Sequence, residues 1–232
     1  MPAIVTPTAY AVTVACAVVG AGVVTALARL RPGPWRVVVA RVLGLLLAAD
    51  AVSFVVALVV QGTFSPKTSL PLALCDMAAL VAAAACWWRL PVLVELTYFW
   101  GLAGTLQAVI TPDLNAGFPH LVFFQYMVGH LGIVAAAVFL VIGLKITPRR
   151  RAVARVFAIT IGYTTLVGLV DGLTGANYMF LRSPPGEWTL LRVLGPWPWY
   201  IGSAAGVALV LLVVLDAPFW RHRRPAASVA TP

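Results

Sequence analysis

The sequence predicts an all-α, polytopic integral membrane protein of seven transmembrane helices. Three observations predict it. The first is composition: 62% of the 232 residues are hydrophobic and 10% are charged, with a mean hydropathy of +0.97. A soluble domain of this size does not carry so much apolar surface. The second is segmentation. Seven apolar runs, each close to the ~20 residues that a bilayer core requires, lie near residues 8–28, 37–60, 70–88, 91–110, 119–143, 153–174 and 197–219. The third is charge. Thirteen of the 16 Lys and Arg residues fall in alternate loops and the C-terminal tail.

That charge pattern fixes an expected orientation. Arg29, Arg31, Arg36 and Arg41 follow run one, Arg89 follows run three, and Lys145, Arg149, Arg150, Arg151 and Arg155 follow run five. Arg221, Arg223 and Arg224 follow run seven. Only Lys67, Arg182 and Arg192 lie on the other side. Short cytoplasmic loops concentrate positive charge, so the N-terminus is expected outside and the C-terminus in the cytoplasm. The net charge of +9 is then explained by topology, and nucleic acid is not expected as a partner. The expected setting is a plasma membrane, such as a bacterial inner membrane, with membrane lipids as partners.

Each run has its own punctuation. The first begins near Thr8 with no basic segment before it, so it reads as a span and not as a cleaved signal. Pro32 and Pro34 separate runs one and two, and Pro66 and Pro71 precede run three. Runs three and four are split only by the turn from Trp87 to Pro91. Pro119 suits the first turn of run five, where a missing N–H costs nothing. Pro148 marks the loop before run six. Trp197, Trp199 and Tyr200 open run seven as an interfacial aromatic belt. The longest loop, about 175–196, carries Asn177, Tyr178, Arg182, the Pro184–Pro185–Gly186 turn and Trp188, and a loop of that length favours a lid or interfacial role. Residues 1–220 form one domain, and 221–232 form a short basic tail expected to be disordered.

The polar residues within the runs are few, and an ionisable group at membrane depth usually faces the bundle interior. On run two, Asp50, Ser53, Ala57 and Gln61 share one helical face, which is expected to look inward. Run three opens with Cys75 and Asp76. Run four presents Trp100, Gly104, Gln107 and Thr111 as a stripe. Run five carries His120 at its edge, then Gln125, Tyr126 and His130. Run six aligns Thr160, Thr164 and Asp171. With the expected orientation most of these groups lie in the outer half of the bilayer, which predicts one pocket open outward or laterally. The inner half is poorer in polar groups, with Glu95 and Asp216 near the interface.

A thiol, an imidazole and carboxylates at neighbouring depths supply the parts of nucleophilic acyl chemistry. Cys75 is the candidate nucleophile and His130 the base, with Asp50 or Asp76 orienting the imidazole. Asp76 beside Cys75 works against a thiolate there, which a protonated imidazole would have to outweigh. Gln107, Gln125 and Asn177 are candidate oxyanion donors. His120, Tyr126, Asp171, Tyr178, Arg182, Trp197 and Trp199 complete the candidate substrate-binding set. The competing readings are helix glue for the buried polar pairs, a small proton-coupled transporter or binder using Asp50, His130 and Asp171, and a structural or assembly partner. Cys16 and Cys86 read as packing residues, as does the Gly202–Gly206 pair. No disulfide framework, metal-ligand spacing or nucleotide motif is present in the sequence, and no cofactor is expected.

Five segments carry a resemblance: LPLALCDMAAL (70–80), YFWGLAGTLQAVITPDL (98–114), FPHLVFFQYMVGHLGIV (118–134), ANYMFLR (176–182) and LGPWPWY (194–200). In order and in their turns they resemble the YwaF-like family of small bacterial membrane proteins, and through it the eukaryotic transmembrane protein 164 group. The resemblance implies a seven-helix protein and, from the eukaryotic branch, a lysophospholipid acyltransferase working through a cysteine. By that resemblance Cys75 would correspond to the cysteine, and His130 is the better match for a histidine partner. The chain departs from the family at Ala73, where many members carry His, which leaves His130 or His120 to act.

Overall fold

The computed structural model describes residues 7–112, 114, 117–184 and 193–223. Every apolar run folds as a helix: α1 Pro7–Leu30, α2 Trp35–Val60, α3 Leu74–Trp88, α4 Pro91–Ile110, α5 Leu121–Gly143, α6 Ala152–Thr174 and α7 Trp199–Arg223. Six are long and apolar enough to cross a membrane, and α3 is shorter. Its 15 residues span roughly 22 Å at ~1.5 Å per residue. The protein is therefore an all-α, multi-pass membrane protein. Large apolar side chains such as Val18, Val19, Leu45, Leu46 and Leu169 are exposed along the helices, which is the surface a lipid solvent requires.

The short α3 sets the geometry of the site. The third helix was expected from residue 70, but it starts at Leu74. Ala73 is extended (φ −63°, ψ 149°) and stands as the N-cap, and Pro71 disfavours helical geometry at the residue before it, so the helix begins at Leu74. The Asp76 carboxylate accepts from the Ala73 backbone N–H. This is the return half of a capping box, supplied from the third helical residue. At the other end Arg89 adopts a left-handed conformation (φ 54°), and Pro91 opens α4 at its first position.

Small residues let α3 sit at the centre. Ala78, Ala82, Ala85 and Cys86 are fully buried against α2, α4 and α5. A Cβ on Gly44 of α2 would come within 2.9 Å of the Ala83 carbonyl oxygen, so the two backbones are in direct contact. Gly132 of α5 leaves room for Leu47 in the same way, its Cβ position lying 2.8 Å from Leu47 Cδ2. Below that crossing the core is apolar, with Leu47, Phe99, Ile133, Ala136 and Leu140 buried together.

Two helices switch to π geometry, α4 over Trp100–Thr105 and α5 over Phe139–Gly143. Each π turn adds a residue and rotates the side chains beyond it relative to an ideal helix.

The ends of the bundle are pinned by polar contacts. On the Lys/Arg-rich side, buried Glu95 accepts from Arg149 N (3.0 Å), Nε (2.9 Å) and Nη2 (3.2 Å), and from Arg155 Nη1 (2.5 Å). Nearby, Trp220 Nε1 donates to Asp216 Oδ2 at 2.9 Å. On the opposite side, Tyr178 OH donates to Pro66 O and accepts from Leu70 N, both at 2.9 Å. That hydroxyl ties the α2–α3 loop to the segment after α6.

Two expectations at the helix ends are corrected. Pro119 does not sit in the first turn of α5. The helix starts at Leu121 with His120 as its cap, because the His120 imidazole accepts from Val122 N at 3.4 Å. In the aromatic belt, Trp197 and Trp199 are exposed, but Tyr200 is buried and its hydroxyl donates to Phe180 O. The Pro185–Gly186 part of the long-loop turn, Trp188, Arg192 and the tail beyond residue 223 lie outside the described residues.

Candidate functional site

Cys75 occupies the second position of α3. There it faces a cavity of about 150 Å³ between α2, α3 and α5. Asp50, Cys75, Asp76, Gln125, Tyr126 and His130 all line this space. Six side chains singled out in the sequence, from three helices, are thus brought together. Phe54 and Val122 also line the cavity and are exposed on the outside of the bundle. The cavity therefore communicates with the bundle surface between α2 and α5.

The His130 imidazole is held firmly. Its Nδ1 lies 2.9 Å from the Tyr126 carbonyl oxygen, one turn earlier on α5. A carbonyl only accepts, so Nδ1 carries the proton of the neutral ring and Nε2 keeps the basic lone pair. The ring stacks on that of Tyr126, with centroids 4.1 Å apart and planes at 25°. Tyr126 is in turn fixed by its hydroxyl, which donates to Ala108 O of α4 at 2.7 Å.

The carboxylates take different places from those expected. Among the described residues neither Asp50 nor Asp76 hydrogen-bonds the imidazole. Asp50 Oδ2 lies 3.1 Å from where a Cβ on Gly129 would stand, beside the residue that precedes His130, and its carboxylate has no hydrogen-bond partner among the described residues. Asp76 is engaged in capping α3. On the Asp50 face of α2, Ser53 Oγ donates to Asp50 O (2.8 Å) and accepts from Gln125 Nε2 (3.0 Å). That face looks inward only in part, because Ser53 and Gln61 are exposed.

The thiol has a partner that sequence reasoning missed. Thr105, buried at the end of the α4 π segment, hydrogen-bonds Cys75 through its side chain. A straight helix would have aligned Gly104 and Gln107 with Trp100. The π turn presents Thr105 instead, while Gln107 and Thr111 are exposed. The only signal in the sequence was a hydroxyl in an apolar run. A second unread feature is the backbone of α3. As in any helix start, the amides of residues 74–76 have no intrahelical acceptor, and among the described residues none is supplied to them. The Cys75 N–H therefore stands next to its own thiol and is available as a donor.

The remaining candidates lie elsewhere. Gln107 and His120 do not line the cavity. Asp171 is fully buried at the end of α6, where its Oδ1 accepts from Tyr178 N at 3.0 Å. Asn177 Oδ1 accepts from Arg182 N and Ser183 N and shapes its own loop. Trp197 Nε1 donates to Leu181 O at 3.0 Å. These residues build the far end of the bundle. Among the described residues no group of three His, Cys, Asp or Glu side chains is arranged to hold a metal.

Comparison with known proteins places the chain in a family. No solved structure matches it. An uncharacterized protein of Treponema pallidum (strain Nichols) is 28% identical over 156 residues, which cover 66% of this chain and 63% of that relative. The chain thus spans less than two thirds of that relative's length. The sequence profile of the TMEM164 family matches residues 4–216, and the chain belongs to the TMEM164 family.

Proposed function

We propose that this protein is a lipid acyltransferase or lipid-ester hydrolase that uses Cys75 as its nucleophile. The observation that carries the reading is the shared cavity. A thiol, a tautomer-fixed imidazole and a carboxylate with no hydrogen-bond partner among the described residues line one space that communicates with the lipid-facing surface. The proposed topology has seven spans, with the N-terminus outside and the C-terminus cytoplasmic in a plasma membrane. The cavity then belongs to the outer half of the bilayer and is entered laterally.

In this reading the Cys75 proton passes to His130 Nε2 as the sulfur attacks an ester carbonyl carbon. The carbonyl π pair moves to oxygen, and the oxyanion is met by the Cys75 N–H and by Gln125. Collapse expels the donor lipid's alkoxide, which takes the proton back from Nε2 and leaves an acyl thioester on Cys75. The hydroxyl of an acceptor lysolipid, or water, then gives its proton to Nε2 and attacks the thioester. The thiolate departs and is reprotonated. The Tyr126 carbonyl keeps the imidazole in the required tautomer, and Asp50 stabilises the imidazolium from the Gly129 side. Thr105 orients the thiol.

The cavity is too small for a whole lipid, so the acyl chains remain in the bilayer beside Phe54 and Val122. A transporter reading is disfavoured by the tight apolar packing below Leu47 and Ile133, which among the described residues offers no polar route toward the basic face. The test uses purified protein and a phospholipid with a fluorescent acyl chain. Wild type should acquire a covalent label that neutral hydroxylamine removes, and Cys75→Ala should acquire none. Equal labelling of both, or none in either across varied lipid esters, rejects the nucleophile and favours a binding protein.

A further inference from the structure

On the side of the bundle that carries few basic residues, the two described cations converge on one point. Lys67 sits in the α2–α3 loop and Arg182 in the segment after α6. Lys67 Nζ and Arg182 Nη1 each lie 3.8 Å from the position that a Cβ on Gly175 would take. They are therefore no more than about 7.6 Å apart, the two legs laid end to end.

This convergence is built, not incidental. Gly175 ends α6 in a left-handed conformation (φ 73°), which glycine adopts at no steric cost, and its missing side chain leaves the space that both cations approach. Tyr178 OH holds the Lys67 loop through Pro66 O and Leu70 N. Asn177 Oδ1 caps Arg182 N and Ser183 N at 2.9 and 3.2 Å. Arg182 Nη1 also donates to Ala176 O at 3.3 Å.

Among the described residues the charges near this point do not balance. A helix C-terminus carries about half a negative charge, against two full cations. Asp171, one turn earlier on α6, gives Oδ1 to Tyr178 N and leaves Oδ2 without a hydrogen-bond partner. It forms no ion pair with either cation among the described residues. Even with its charge included, the balance among the described residues stays positive. Two cations held this close repel each other, and an anion between them removes that repulsion.

We propose that Lys67 and Arg182, above the bare face of Gly175, form a binding site for a phosphate group, supplied by a lipid headgroup. Phosphate oxygens suit one guanidinium and one ammonium converging from two sides. The α2–α3 loop that carries Lys67 also carries Pro71, which lines the Cys75 cavity. A headgroup at Gly175 and an ester bond at Cys75 thus meet one continuous loop. The proposal rests on the lipid reading only for the source of the phosphate.

The experiment measures binding in the full-length protein, both as wild type and as Cys75→Ala, by native mass spectrometry from detergent. Because Cys75→Ala cannot form a thioester, binding there is read independently of catalysis. The probes are lysophosphatidate, the monoacylglycerol with the same chain, and inorganic phosphate. Lys67→Gln/Arg182→Gln is expected to weaken lysophosphatidate at least tenfold and to leave monoacylglycerol unchanged, while Lys67→Arg retains binding. Unchanged lysophosphatidate affinity in the double variant overturns the site. Equal loss of both lipids also overturns it, since that marks a merely structural role at the end of α6. Inorganic phosphate that displaces lysophosphatidate at equal concentration overturns the lipid source.

Discussion

His130 Nδ1 lies 2.9 Å from the carbonyl oxygen of Tyr126, and the two rings stack at 4.1 Å. One residue thus fixes both the tautomer and the plane of the imidazole. Second-layer partners of this kind usually come from a carboxylate or a carbonyl, and here the helix supplies the partner one turn away. If His130 is the base, His130→Gln removes proton transfer and leaves the fold in place, because the residue is only half-buried. Acyl transfer is expected to fall by about 10²–10⁴-fold, with lysolipid binding unchanged. A variant that transfers acyl groups at the wild-type rate would remove His130 from the mechanism.

Thr105 offers a finer test. Thr105→Val keeps the shape of a side chain that is 1% exposed and removes the hydroxyl that meets the Cys75 thiol. A neutral hydrogen bond contributes about 1 kcal/mol, so the rate of thioester formation should fall by at most about tenfold. Thr105→Ser should restore most of it. An unchanged rate in Thr105→Val would reduce Thr105 to a packing residue.

Glu95 is the strongest stability determinant visible on the basic side. It is 1% exposed and receives four donors from Arg149 and Arg155. Removing it leaves two guanidinium groups and a backbone amide without their acceptor. Buried partners are costly to orphan, but both arginines are partly exposed, so water recovers some of the loss. Glu95→Ala is expected to destabilise by on the order of 2–3 kcal/mol, read as a lowered midpoint in thermal unfolding. Glu95→Gln should lie between Ala and wild type. The cavity residues are untouched, so the folded fraction should keep its lipid binding.

The helices were legible because apolar run length is the main constraint a bilayer imposes. The bounds of α1, α2, α4 and α6 follow the hydropathy and the prolines. The start of α3 was not legible to the residue, since Pro71 tolerates either a helix beginning or an extended lead. The depth of Cys75 depends on that choice. The convergence of Asp50, Gln125, Tyr126 and His130 with Cys75 followed from the rule that polar groups at membrane depth face inward. Thr105 escaped, because a π turn breaks the 100° periodicity on which face assignments depend. Asp171 was misleading for a different reason. Its Oδ1 accepts from the Tyr178 amide, and a carboxylate that caps a loop looks, in sequence, like one that serves a pocket.

The contact between α2 and α3 gives a last prediction, and it separates packing from helix propensity. Gly44 and Gly20 are both glycines inside long apolar helices, and on propensity alone alanine is favoured at each by up to about 1 kcal/mol. Their surroundings are opposite. A Cβ at Gly20 meets nothing within 4 Å. At Gly44 it would lie 2.9 Å from Ala83 O and 3.0 Å from Cys86 Cβ. Neither atom is the tip of a flexible side chain, so α2 and α3 must move apart to admit it. Overpacking of this kind costs about 1–3 kcal/mol, which exceeds the propensity gain. Gly44→Ala should lower the thermal midpoint, and Gly20→Ala should leave it unchanged or raise it. Because α3 carries Cys75, Gly44→Ala should also slow thioester formation in the protein that remains folded. Equal midpoints for the two variants would mean that α2 and α3 are not in backbone contact, and the cavity that Cys75 and Asp50 share would be in question with it.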